Sequence, residues 1–257
     1  MSALLTVENL TVQLPAGGSL RTVLADVSLS IAPGEALGLV GESGSGKSMT
    51  ARAIDRLLPP GAQASGSIVF RNQNVLDTTP AELRRYRADV AMIFQDPRAH
   101  TNPVRRIGDF MTEALRSRGV PQAEALERAV ETLEQVGVSR AHAVARQYPH
   151  ELSGGMLQRV MIGTALLTSP KLLLADEPTT ALDVTIQAEV MAILDELRRS
   201  LGLAMLFITH DLELAAAICD RTAVMYAGQI VETGRRLHCT AIPCIPIPQR
   251  CPRRGLM

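Results

Sequence analysis

Gly41-Glu42-Ser43-Gly44-Ser45-Gly46-Lys47-Ser48 is the run that most constrains this chain. It fits G-x-x-x-x-G-K-[ST], in which glycines let consecutive backbone N–H groups turn inward around phosphate oxygens. In that pattern Lys47 reaches the β- and γ-phosphates, and Ser48 offers its hydroxyl to Mg²⁺. The cradle needs a strand before it and a helix after it. The helix directs its positive N-terminal end at the same anion. Ala36-Leu37-Gly38-Leu39-Val40 is a short, wholly apolar run that suits a buried parallel strand. A helical stretch follows the loop and stops at Pro59-Pro60. A surface Gly/Ser loop would explain the composition of the run but not its setting.

Upstream, Leu4 to Val12 is β-rich and breaks at Pro15-Ala16-Gly17-Gly18, and a second β-like stretch runs from Val23 to Ile31. Together they predict antiparallel strands joined by a glycine turn. Downstream, Leu172-Leu173-Leu174-Ala175 and Ala204 to Thr209 are further strand candidates, with a helix from Thr185 to Leu201 between them. From about residue 98 charges interleave with Leu, Ala and Val at helical spacing. Leu126, Val130, Leu133 and Val136 fall on one face of a helix over 123–136. Strand–helix alternation on both sides of this segment predicts a parallel α/β core with a helical insert.

The strand at 172–175 delivers Asp176 and Glu177 to its C-terminal edge, where open α/β sheets bind ligands. Asp176 is the candidate for the Mg²⁺ shell. Glu177 points elsewhere and is the candidate to orient and deprotonate a water. Leu152-Ser153-Gly154-Gly155-Met156-Leu157-Gln158 is a second glycine turn at a helix start, with Ser153 as N-cap and exposed N–H groups behind it.

That last run resembles the LSGGQ-type signature of ABC ATPases. The resemblance implies an α/β fold: a P-loop NTPase (RecA-like) core with an N-terminal antiparallel β subdomain and an inserted α-helical subdomain at about 98–158. It implies one ATPase domain over residues 1–234. ATP and Mg²⁺ are the implied cofactors. Gln95 in Ile93-Phe94-Gln95-Asp96-Pro97 looks like the Q-loop, which implies a further Mg²⁺ ligand beside Ser48 and Asp176 and a link from the Mg²⁺ and water site to the helical subdomain. Ala181-Leu182-Asp183 looks like the D-loop, which touches a partner subunit. His210 in Ile208-Thr209-His210-Asp211 looks like the switch histidine that meets the γ-phosphate. In such a family Ser153, Gly154 and Gly155 of one chain close over the ATP held by Gly41 to Ser48 of another, head to tail.

Tyr148-Pro149-His150-Glu151, Gln95-Asp96-Pro97…Asn102-Pro103 and Ala223-Val224-Met225-Tyr226-Ala227-Gly228 look like the oligopeptide/dipeptide/nickel importer subfamily. Membership implies a second ATPase subunit (same or sister chain), two integral-membrane permeases and, indirectly, an extracytoplasmic solute-binding protein. It implies a peripheral position at the cytoplasmic face of the membrane. Two residues depart from the pattern. Leu157 replaces the usual Arg, away from the phosphate contacts. Leu14 stands where the family usually stacks an aromatic on adenine, which implies weaker nucleotide affinity or base selectivity.

Composition bears on the competing classes. The chain of 257 residues balances 26 basic against 26 acidic residues. Five Arg and no acid lie in residues 235–257, so the rest is mildly acidic. That balance and 3% aromatics argue against nucleic acid as a partner. A non-transport ABC ATPase of DNA repair or the ribosome would carry coiled coils, zinc modules or a tandem cassette, and none is evident. An accessory ATPase of a phosphonate-degrading complex is the other alternative. No apolar run approaches the length of a membrane span, and the N-terminus lacks a secretory signal, so a cytoplasmic chain is expected. Cys239, Cys244 and Cys251 crowd a Pro/Cys/Arg-rich tail, 235–257, in which Pro243, Pro246 and Pro248 forbid a continuous helix. Three thiolates are one short of a four-cysteine cluster. The tail is expected to be disordered, metal-free and foreign to the family, as a shifted frame or truncation would leave it.

Overall fold

The computed structural model describes residues 3–179 and 184–235, Val184 by its backbone alone. In chain order it runs β1 (Leu5–Ala16), β2 (Ser19–Ile31), β3 (Ala36–Val40), α1 (Lys47–Ile54), β4 (Gln63–Phe70), β5 (Gln73–Asn74), α2 (Pro80–Asp89) and β6 (Val90–Ile93). A helical segment follows: α3 (Ile107–Met111), α4 (Glu113–Arg116), α5 (Gln122–Gln135), α6 (Ala141–Val144), a 3₁₀ turn at Pro149–Glu151 and α7 (Gly154–Leu166). The chain then returns through β7 (Leu172–Asp176), α8 (Val184–Leu201), β8 (Ala204–Thr209), α9 (Leu212–Ile218), β9 (Arg221–Tyr226) and β10 (Gln229–Arg235). Asp183 and the tail beyond Arg235, with its three cysteines, lie outside the described residues.

Two sheets form. One is antiparallel, in the order β2-β1-β4-β5. The other has six strands in the order β10-β9-β3-β8-β7-β6, parallel except for the β9–β10 hairpin at its edge. Every residue of β3, β7 and β8 is buried. A continuous apolar run is what a strand covered on both faces requires. The alternation survives inside those runs. Leu173, Ala175, Met205 and Phe207 face a core shared with α5, α7 and α8. Leu172, Leu174, Leu206 and Ile208 face a second core shared with α1 and the antiparallel sheet. The parallel sheet is thus sandwiched, and its carboxyl edge is left open for a ligand.

Four local expectations need adjustment. β1 continues through Pro15 because its pairing with β4 ends at Gln13, so the missing proline N–H faces no strand there. β2 starts at Ser19 rather than Val23, which brings Arg21 and Thr22 into the sheet. α1 ends at Ile54, well before Pro59, because Arg56 takes a left-handed φ of 59°. On α5 the inward stripe is Ala125, Ala129, Val130, Thr132 and Leu133, while Leu126 is 41% exposed. Alanines at the seam let α5 lie close on α7, and that rotates the leucine outward.

Asp55 follows α1 and is 7% exposed. Burial pushes its carboxyl up to about 7 from 3.8, against an opposing pull from Arg87. The folded protein therefore holds this proton more tightly than the unfolded chain. Asp55 favours folding most below about pH 3.8, and that contribution is lost as pH rises to about 7. Each unit of such a gap is worth about 1.4 kcal/mol. Asp55→Asn should gain several kcal/mol on the parent between about pH 4 and pH 8 in denaturant titrations. A difference that stays flat with pH would refute the assignment.

Candidate active site

β3 ends at Val40, and a Cβ on the next residue, Gly41, would collide with the carbonyl oxygen of Met225. Gly44 and Gly46 take φ of 79° and 111°, which L side chains rarely adopt. A Cβ on Gly46 would also press against Leu24 at 2.7 Å and Met225 at 2.9 Å. The loop is therefore closed tightly around its own backbone and leads directly into α1 at Lys47. Lys47 Nζ donates to the carbonyls of Gly41 at 2.8 Å and Glu42 at 2.9 Å. Burial pushes its ammonium below the ordinary value, and the Glu177 and Asp176 carboxylates pull it back. A cation with few waters is thus held over the loop beside the helix N-terminus, a setting suited to a phosphate chain.

Asp176, the last residue of β7, is 4% exposed. Its Oδ1 accepts from Ser48 Oγ at 2.9 Å. Burial raises its carboxyl above the usual range, and the Ser48 hydrogen bond opposes that rise first. Glu177 comes next in sequence but has a left-handed φ of 46°, and its N–H donates to Ile208 O at 3.0 Å. A non-glycine residue in that region stores strain that its surroundings must hold in place. The backbone turn sends the two neighbouring acids to different tasks. Glu177 Oε2 accepts from Gln95 Nε2 at 3.1 Å, and Oε1 lies 3.4 Å from His210 Nδ1. The constellation thus draws on the ends of β3, β6, β7 and β8.

A cavity of about 760 Å³ opens over this edge. Ser43, Gly44, Gly46, Lys47 and Ser48 line it, as do Gln95, Glu177 and His210. Its far wall is Arg21, Thr22 and Val23 of β2 with Ala227 and Gly228 of the β9–β10 turn. That wall was not visible in the sequence, since it forms only when the antiparallel sheet folds against the loop. The small-residue turn at 227–228, directly after an apolar strand, was the one available signal. Leu14 is not part of the lining. It is half-buried against the second core.

Ser153, Gly154 and Gly155 do not reach this cavity. Ser153 caps α7, its Oγ accepting from Met156 N at 3.3 Å, and Ser153 and Gly154 are exposed. A Cβ on Gly155 would strike Ile186 at 2.7 Å, so α7 begins hard against α8. Leu157 is fully buried in the core, which accounts for an apolar residue there.

The sequence model of the ABC transporter family matches residues 24–180, more than half of the chain. The chain belongs to the ABC transporter family. Among its relatives, the oligopeptide transport ATP-binding protein OppD of Escherichia coli K12 is 47% identical over 234 residues, which is 90% of this chain and 69% of that protein. OppD of Bacillus subtilis 168 is 44% identical over 238 residues, 91% of this chain and 66% of that one. A putative peptide import ATP-binding protein of Brucella melitensis is 50% identical over 218 residues, covering 81% and 64%. The chain therefore spans about two thirds of the length of these relatives. The fold is that of ABC ATPase cassettes. The cassette MJ0796, solved as a dimer after hydrolysis with ADP and Pi, superposes with a TM-score of 0.80 at 28% identity, covering 90% of this chain and 98% of that one. CbiO1 of Clostridium perfringens, part of the transporter complex CbiONQ, gives 0.79 at 26% identity, covering 94% and 92%. In this ABC protein, among the described residues, no helix is long and apolar enough to cross a membrane.

Proposed function

We propose that this chain is the ATP-hydrolysing subunit of an ABC importer for di- or oligopeptides or a related small solute. The observation that carries the reading is Glu177 on the phosphate cavity, held between Gln95 at 3.1 Å and His210 at 3.4 Å. The peptide assignment follows the names of the relatives.

In this reading the loop N–H groups and Lys47 hold the β- and γ-phosphates, and Glu177 accepts a proton from the attacking water. Gln95 and His210 fix that carboxylate and the water between them. Ser48 Oγ and Asp176 Oδ1 are adjacent hard oxygen donors, which suits Mg²⁺, an ion that takes one or two protein ligands and completes its shell with phosphate and water. Bound there, Mg²⁺ would neutralise charge on the β- and γ-phosphate oxygens. Ser153, Gly154 and Gly155 present their free N–H groups to the ATP of a second ATPase subunit, with Asp183 at the same junction. Residues 1–234 form the cassette, and its helical segment, about 98–158, meets two integral-membrane permeases at the cytoplasmic face. An extracytoplasmic binding protein supplies the solute, and nucleic acid is no partner. Affinity purification from solubilised membranes should bring down two integral-membrane proteins, and peptide with its binding protein should raise ATP turnover. Retention of nucleic acid in place of membrane proteins would overturn the transport assignment.

A further inference from the structure

We propose that Arg21 is the platform on which the purine base of the nucleotide stacks. The proposal rests on the reading of the loop as a phosphate cradle. β2 is fixed to that loop. A Cβ on Gly46 would meet Leu24 at 2.7 Å and Val23 O at 3.4 Å. Gly228 N donates to Ser45 O at 2.9 Å, and Ala25 N donates to Gly228 O at 2.9 Å. Leu24 pairs with Val12 and Arg21 with Leu14, two residues apart on β1, so across the bulge at Val23 Arg21 shares the face of Leu24 and stands roughly 7 Å farther along the strand. A nucleoside triphosphate held by its phosphates at the loop extends its ribose and base outward along the cavity. Arg21 lines the same cavity, and its place along β2 sets it toward that outer end.

The chemistry of the lining narrows the choice. Four cavity side chains have a planar terminal group: Arg21, Gln95, Glu177 and His210. Gln95 and His210 are both engaged with Glu177, at the phosphate end. That leaves the Arg21 guanidinium as the planar group for a base, among the described residues. Arg21 is exposed, and no ion pair or side-chain hydrogen bond ties it to a described residue. Leu14 is its cross-strand partner and projects from the same face, so the leucine supports the arginine stem. A guanidinium plane over an electron-rich purine gains both stacking and cation–π attraction.

The test is equilibrium binding of ATP and of inorganic tripolyphosphate, which has no base, to the full chain. Arg21→Ala should weaken ATP binding by about 5- to 30-fold. Arg21→Lys keeps the charge without the plane and should lose as much. Arg21→Tyr keeps a plane without the charge and should bind ATP within a few-fold of the parent. Tripolyphosphate should bind all four proteins alike. The proposal is wrong if Arg21→Ala binds ATP like the parent. It is equally wrong if Arg21→Lys retains affinity while Arg21→Ala loses tripolyphosphate, since the arginine would then be a phosphate clamp. Lys47→Ala separates the two readings: it should lose both ligands, and its retention of both would remove the cradle reading and Arg21 with it. The exposed site makes all three Arg21 variants compatible with the fold, which coincident thermal melts would verify.

Discussion

Glu177→Gln is expected to bind ATP within a few-fold of the parent and to hydrolyse it about 10²- to 10⁴-fold more slowly, the range a positioned general base supplies. The substitution keeps the shape and one carbonyl oxygen, so Gln95 Nε2 still has an acceptor where it now meets Glu177 Oε2 at 3.1 Å. What is lost is the negative charge that takes the proton of water. Affinity should hold because Lys47, the carboxylate's charged neighbour, still has its bonds to the Gly41 and Glu42 carbonyls. With binding intact and turnover stalled, an ATP-closed dimer should accumulate and be visible by size-exclusion chromatography. Phosphate release at a near-parental rate would show that another group is the base.

The same residue shows how far the sequence could be read. Glu177 was legible as a neighbour of Asp176 at a strand end, and the two acids do face different partners. The left-handed turn that separates them is not written in residue type, since glutamate has no preference for φ of 46°. It is imposed by the bond from Glu177 N to Ile208 O on the next strand. β3, β7 and β8 were legible because burial on both faces demands unbroken apolar runs. β4 was not, because Gln63 to Gly66 are exposed and only its last residues alternate. β10 is likewise exposed along most of its length and carries little pattern. The phosphate side of the cavity comes from short motifs at strand ends. The opposite wall, Arg21 to Val23 with Ala227 and Gly228, comes from segments about two hundred residues apart, joined when β2 folds over the loop. Nothing local in Leu20-Arg21-Thr22-Val23 announces a ligand wall.

The exposed position of Ser153 and Gly154, away from the cavity, leads to the other large effect. Lys47→Ala removes the cation over the loop, and a charge-assisted hydrogen bond is worth about 1.5–3 kcal/mol. Two such bonds to phosphate amount to at least about a 10²-fold loss of ATP affinity. Ser153→Arg should instead leave single-chain ATP binding at the parental level. The helix cap bonded to Met156 N is lost at a cost of about 1 kcal/mol, which the buried face of α7 can absorb. A long cationic side chain on that surface blocks closure against a second subunit. Neither variant alone should form the ATP-closed dimer. Mixed together, they should recover part of it, because each heterodimer joins the intact loop of the Ser153→Arg chain to the intact turn of the Lys47→Ala chain. One composite site per dimer then remains, against two in the parent. Size-exclusion chromatography of the mixture with ATP, each chain carrying a different fluorophore, reads this directly. Failure of the mixture to form any heterodimer would mean that the turn at 153–155 does not complete a site on another chain.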